Sequence, residues 1–146
     1  MTPIEQSQRE AIVAEALSWR GTPYHHLGRV KGRGVDCVML LLETYERVGL
    51  IPHRETSWYT PKWSDRRNAA ILMRILGEYA RQVSNPLPGD CALFRIGSRE
   101  SHLAIVIDWP EIVHSLNGLG VIRERVDEKP NLQERFLGSY RFNGWE

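Results

Sequence analysis

Pro86-Leu87-Pro88-Gly89-Asp90-Cys91-Ala92-Leu93-Phe94 marks the point where the period of this chain changes. Upstream, apolar residues recur at steps of three and four. Downstream, they fall into short runs separated by turns. Pro88-Gly89 is a turn signal, and β-type runs follow at 91–96, 102–108, 112–115, 121–126 and 137–142. Trp109-Pro110 and Asn117-Gly118 separate neighbouring runs as hairpin turns do.

Working back towards the N-terminus, the pattern is helical. Thr2 can cap a first helix, Pro3 suits its first position, and Glu5 completes a capping box. Ile12, Val13, Ala16 and Leu17 follow at helical spacing, and Gly21 stops the helix. Residues 21–34, rich in Gly, His and basic side chains, read as a loop. Asp36 can cap a second helix running to about Val48, with Val38, Leu41, Leu42 and Tyr45 on one face and Gly49 at its end. Residues 50–63 show no period. Ser64 and Asp65 begin a third helix to about Arg81, carrying Ala69, Leu72, Met73, Leu76 and Tyr79. Helices first and antiparallel strands second make an α+β domain.

The chain has 146 residues, 42% of them apolar and 25% charged. That is one globular domain, residues 1–146, able to bury a core without disulfides. Its formal net charge of +1 argues against nucleic-acid binding through bulk charge. No apolar run approaches the roughly 18–20 residues of a membrane span. The polar N-terminus, Met1-Thr2-Pro3-Ile4-Glu5, does not read as a signal peptide, so the expectation is synthesis in the cytoplasm. Two cysteines without a C-x-x-C pair supply neither a disulfide framework nor a zinc ribbon.

The question is whether either cysteine does chemistry. Cys37 follows Asp36 at a helix start, where unpaired amides and the helix dipole lower a thiol pKa and can hold an oxyanion. A lone cysteine reads first as a buried, inert residue, and a nucleophile needs a base, normally His. His102 begins the 102–108 run and His114 ends the next. If Trp109-Pro110 turns the chain, the two lie side by side at one end of a sheet, as a base and its orienting partner would.

Five blocks stand in order: Gly21-Thr22-Pro23-Tyr24, Gly34-Val35-Asp36-Cys37, Pro88-Gly89-Asp90, Ser101-His102-Leu103-Ala104-Ile105-Val106 and Ile112-Val113-His114. Together they resemble the NlpC-type cysteine peptidases, a papain-like family that cuts bacterial cell-wall peptides. The resemblance implies a papain-like fold of N-terminal helices packed on a C-terminal antiparallel sheet. It implies Cys37 as nucleophile, His102 as general base and acid, His114 as the residue orienting His102, and Tyr24 as a pocket hydroxyl. Asp36 and Ser101 are implied substrate contacts. No metal or organic cofactor is implied. Residues 21–32 and Gly138-Ser139-Tyr140-Arg141-Phe142 look like the branch found in phage and prophage tails, with tail proteins as partners.

The chain departs from the family pattern at Val38-Met39 (usually Ser-Gly), at His25-His26-Leu27-Gly28 (usually Trp-Gly-Gly) and at Ala104 (usually Gly). These departures bear on substrate preference. Cys91, among Ala92, Leu93 and Phe94, reads as core. His25 and His26 with Cys37 match no zinc spacing. The basic loop Arg29-Val30-Lys31-Gly32-Arg33 could grip a carboxylate or phosphate, or be a solvated face. Trp58, Tyr59 and Trp63 could form a binding wall or cover the core. Glu43, Glu46 and Asp108 offer no carboxylate pair for glycoside hydrolysis. The expected function is cleavage of an amide in a peptidoglycan stem peptide through an acyl-enzyme. The alternatives are a structural tail-tip protein with weak or no hydrolysis, and a papain-like amidase or acyltransferase on a non-wall substrate.

Overall fold

The computed structural model describes residues 1–55, 66–96 and 99–146; the side chains of residues 96 and 99–101 lie outside the described set. Trp58, Tyr59, Trp63 and the expected helix start at Ser64-Asp65 therefore fall outside it.

Helix α1 spans Pro3–Ser18, with the Thr2 hydroxyl accepting from the Glu5 N–H at 3.1 Å. The cap is present, but the reciprocal half of the expected capping box is not. The Glu5 carboxylate instead accepts from Arg9 Nε at 2.9 Å and from the Glu146 N–H at 2.7 Å. The stretch read as a loop holds a small hairpin, β1 Arg29–Val30 and β2 Gly34–Val35. Helix α2 spans Cys37–Val48 and stops at Gly49, whose φ of 88° suits a residue without a Cβ.

Helix α3, Arg66–Tyr79, gives way at once to strand β3, Ala80–Val83. The helix was expected to continue to Arg81. Residues 80–83 instead pair antiparallel with residues 139–142, and long-range pairing overrides local helical preference. Strands β4 Cys91–Ile96, β5 Arg99–Asp108, β6 Glu111–Leu116 and β7 Gly120–Arg125 follow. A 3-10 turn (Val126–Glu128) and helix α4, Pro130–Arg135, lead into β8, Phe136–Phe142. The expected strands are all present; α4 had no sequence signal strong enough to be read. The sheet runs β3-β8-β4-β5-β6-β7, antiparallel at each junction.

Alternation along the strands divides the core between the two faces. Leu93, Leu103, Ile105 and Val113 pack with Cys37, Leu40 and Leu41 of α2 and with Leu72, Ile75 and Leu76 of α3. Ala92, Phe94, Ala104, Val106 and Ile112 point the other way, under Trp109, Leu132 and Phe136. Fully burying one such aliphatic side chain contributes about 1.5–3 kcal/mol, so the sheet holds α2 firmly by its first turn.

A buried ionic clamp joins the chain ends to the Pro-Gly-Asp turn. Asp90 accepts from Leu87 N–H, from Arg9 Nη1 at 2.9 Å and from Arg141 Nη2 at 2.9 Å. Arg9 lies over the Trp145 ring, and the Tyr45 hydroxyl donates to the Gly89 carbonyl. No helix among the described residues is long and apolar enough to cross a membrane.

Candidate active site

The N-terminus of α2 is built around Asp36. One of its oxygens accepts from the Met39 N–H at 2.9 Å and the other from the Leu27 N–H at 2.7 Å. The first bond caps the helix; the second pulls the preceding loop onto it. Asp36 is fully buried, and these bonds give it a capping role.

The segment before Cys37 is pinned from the sheet side. Val35 N–H donates to Pro23 O at 3.0 Å, Tyr24 bridges Val35, and the Ser115 hydroxyl donates to Val35 O at 2.7 Å. Ser115 is the neighbour of His114 on β6. One strand thus carries His114 and also fixes the backbone two residues ahead of Cys37. The Gly21–Tyr24 block is tied to β7 as well, with Val121 N–H donating to Thr22 O at 2.9 Å. A Cβ at Gly120 would lie 2.5 Å from that carbonyl, so this approach requires glycine. Tyr24, half-buried, lines an open cleft of about 440 Å³ with Pro23, Asn117, Leu119 and Gly120.

The hairpin β5–β6 brings His102 and His114 together as its spacing predicts. His102 Nε2 and His114 Nδ1 are 2.8 Å apart, and the rings meet edge to face. A third group, absent from the sequence reading, completes the row: His114 Nε2 lies 2.7 Å from Glu124 Oε1 on β7. A signal for it existed. The Asn117-Gly118 turn sets Ile122 opposite His114, so Glu124, two residues on, shares the face of His114. Ser101 lies on β5 beside His102, with its side chain outside the described set.

Cys37 is 2% exposed and meets β5 at the Leu103 N–H, the amide that joins Leu103 to His102. Among the described residues its thiol makes no hydrogen bond to the His102 ring. The expectation of a lowered thiol pKa is overturned. Burial raises it, the adjacent Asp36 carboxylate raises it further, and the amides of Leu103, Val38 and Cys37 itself offset only part of this. His102 is held well below the ordinary imidazole value, first by burial and then by His114 beside it. Both shifts favour the neutral form of the side chain, the thiol at Cys37 and the imidazole at His102. Glu124 is held low, first by its bond from His114, with partial burial opposing.

The other candidates fall elsewhere. Cys91 is buried in the core, its thiol raised first by burial and then by Asp90. His25 and His26 do not converge with Cys37. Among the described residues the one cluster with metal-ligand spacing is Glu43, Glu46 and His53, and Arg29 Nη2 already bonds both carboxylates, at 3.1 and 3.4 Å. In the basic loop, Arg29 is thus engaged and Lys31 pairs with Glu15 at 2.7 Å, leaving Arg33 as its exposed cation.

Helices on an antiparallel sheet, with a cysteine opening a helix beside a histidine pair on adjoining strands, define a papain-like cysteine–histidine fold. The NlpC/P60 family model matches residues 21–141, and the chain belongs to that family. It is 28% identical over 129 residues to the murein DD-endopeptidase MepS/murein LD-carboxypeptidase of Escherichia coli K12, covering 88% of this chain and 60% of that relative. Among solved structures it is similar to the NlpC/p60 domain of the peptidoglycan hydrolase SagA, with TM-score 0.61, 22% identity, and 91% of this chain and 97% of that one covered. It is also similar to an NLP/P60-family lipoprotein-like protein of Staphylococcus aureus, with TM-score 0.66, 20% identity, and 92% and 41% covered. At these identities the solved structures bear on the fold.

Proposed function

We propose that this chain is a cysteine endopeptidase that hydrolyses an amide bond in peptidoglycan stem peptides. The observation that carries the reading is the His102–His114 bond between β5 and β6, beside the Leu103 amide that meets Cys37 at the start of α2. With Nε2 engaged by His114, His102 keeps Nδ1 as its remaining basic nitrogen. On substrate binding the thiol turns to that nitrogen and gives up its proton. The sulfur attacks the amide carbon, and the carbonyl oxygen takes the electron pair. In this scheme the amides at the α2 N-terminus and the Tyr24 hydroxyl hold that oxyanion. His102 protonates the leaving amine as the C–N bond breaks, leaving a thioester. Water attacks the thioester, His102 takes its proton, and the thiol is released.

A neutral resting pair fits this scheme. Proton transfer then waits for substrate, which shields the developing ion pair from water. The test is incubation with purified stem peptides, with cleavage followed by mass spectrometry alongside Cys37→Ala. New amine termini from the native protein and none from the variant are expected; equal products from both would overturn the reading.

The finer setting rests on sequence resemblance. Residues 21–32 and 138–142 look like the phage and prophage tail branch, and we place the chain there, acting within a tail assembly on the wall. Co-purification of tail proteins with the chain expressed in its native operon tests that placement.

A further inference from the structure

We infer that Glu124 is a positioning residue that acts through His114, holding its proton on Nε2 and so keeping His102 in the form that accepts the Cys37 proton. This rests on the hydrolase reading, and its basis is the proton count along three bonded groups.

In the attacking state His102 carries a proton on each ring nitrogen. Its Nε2–H must therefore donate, and the atom facing it at 2.8 Å, His114 Nδ1, must accept. An imidazole that accepts at Nδ1 holds its one proton on Nε2. That proton needs an acceptor in a place closed to bulk water, because His114 is fully buried. Glu124 Oε1, 2.7 Å away, is that acceptor, and it is held in its carboxylate form by the same contact. A histidine has two tautomers. The wrong one, with the proton on Nδ1, would donate to His102 Nε2 and put the His102 proton on Nδ1, facing the thiol, where no proton can then be taken. Glu124 removes this choice. Its negative charge, one ring away from His102, also favours the imidazolium that forms during attack.

Glu124 reaches this position from β7, its side chain 16% exposed, so Glu124→Leu removes the acceptor at similar volume and Glu124→Gln keeps an acceptor while removing the charge. The decisive readout is ¹⁵N NMR of histidine-labelled protein, which reports the protonated nitrogen of each ring without any substrate. His114 is expected protonated at Nε2 in the native chain and in Glu124→Gln, and shifted towards Nδ1 in Glu124→Leu. The second readout is kcat/KM on stem peptide. Loss of about 10- to 100-fold in Glu124→Leu, in kcat rather than KM, is expected from a mispositioned base, with partial rescue in Glu124→Gln. In a His114→Ala background Glu124→Leu should add almost nothing, since no ring is left for Glu124 to orient. Unchanged His114 signals in Glu124→Leu, or full additivity with His114→Ala, would overturn the inference. If Glu124→Leu does not fold, His114 protonated on Nδ1 in the native chain does the same. Native tautomers as expected with no peptide cleavage would instead overturn the hydrolase reading and leave the Glu124 assignment standing.

Discussion

The dipeptide Asp-Cys occurs twice in this molecule, as Asp36-Cys37 and as Asp90-Cys91. Both aspartates are fully buried, both cysteines are nearly so, and in both the thiol is raised first by burial and next by the carboxylate that precedes it. Burial and the dipeptide itself therefore do not separate the two sulfurs. The element that each cysteine opens separates them. Asp36 turns its oxygens to the Leu27 and Met39 amides and starts a helix, which sets Cys37 against the His102–Leu103 peptide. Asp90 adds two guanidiniums to the Leu87 amide on its oxygens and precedes a strand, which lays Cys91 into an apolar wall with Leu41, Tyr45, Leu76 and Tyr140. One dipeptide serves as a capping device and the other as a clamp.

The largest effect expected from this contrast is on activity. Cys37→Ala should lower kcat/KM on stem peptide by at least about a thousandfold, the scale of removing a nucleophile. Cys91→Ala should leave it within about threefold, with the thermal unfolding curve confirming that each variant is folded. Activity lost equally in both would erase the distinction and place Cys91 in the chemistry.

Much of this difference was legible in the residues. Alternating Ala92, Leu93 and Phe94 mark Cys91 as strand core, and the helical period after Asp36 puts Cys37 at a helix start. The hairpin spacing likewise sets His102 beside His114. The illegible parts depend on distant partners. Ala80–Val83 is a strand because β8 lies next to it, Glu5 is drawn from its capping box by Arg9 and Glu146, and the Cys37 thiol is raised because the core closes over it. No local pattern contains those neighbours. Glu124 lies between the two cases, since the register that places it was readable but its bond to His114 was not.

The second effect is on stability and runs the other way. Asp90→Ala leaves the buried Arg9 and Arg141 without their shared carboxylate and should cost about 3–5 kcal/mol, the cost of breaking a buried ion pair from one side. Asp36→Ala loses a helix cap, about 0.5–2 kcal/mol. Denaturant titration gives both numbers. A costlier Asp36 variant would show that the capped helix start, and not the clamp, holds the fold.

Acid should distinguish the two regions next. His102 has a folded pKa well below the imidazole reference of 6.5, so the unfolded chain binds its proton first. Stability from keeping His102 neutral is thus fully present above pH 6.5 and declines as pH falls below it, by up to about 1.4 kcal/mol per pH unit for one proton. Glu124, depressed below the carboxylate reference of 4.5, adds a loss of the same sign at lower pH. Denaturant midpoints at pH 7 and pH 5 measure the slope. His102→Gln should flatten it, whereas Cys91→Ala should leave it intact; a slope indifferent to His102→Gln would assign it to other groups.

The smallest effect tests whether Cys91 is merely core. It lines an apolar cavity of about 30 Å³ with Leu42, Ile51 and Ile75. Cys91→Ala enlarges that void by roughly one sulfur, for a cost of about 1 kcal/mol by the volume dependence of cavity creation. Cys91→Val, which replaces the sulfur with methyl groups beside existing free space, should cost less than Cys91→Ala. Thermal melts resolve the difference, because about 1 kcal/mol moves the midpoint of a domain this size by about 2–4 °C. If Val proves the worse of the two, the wall around Cys91 is more tightly fitted than its cavity implies. The sulfur then holds its position by shape, as Cys37 holds its own by the helix start and the sheet beside it.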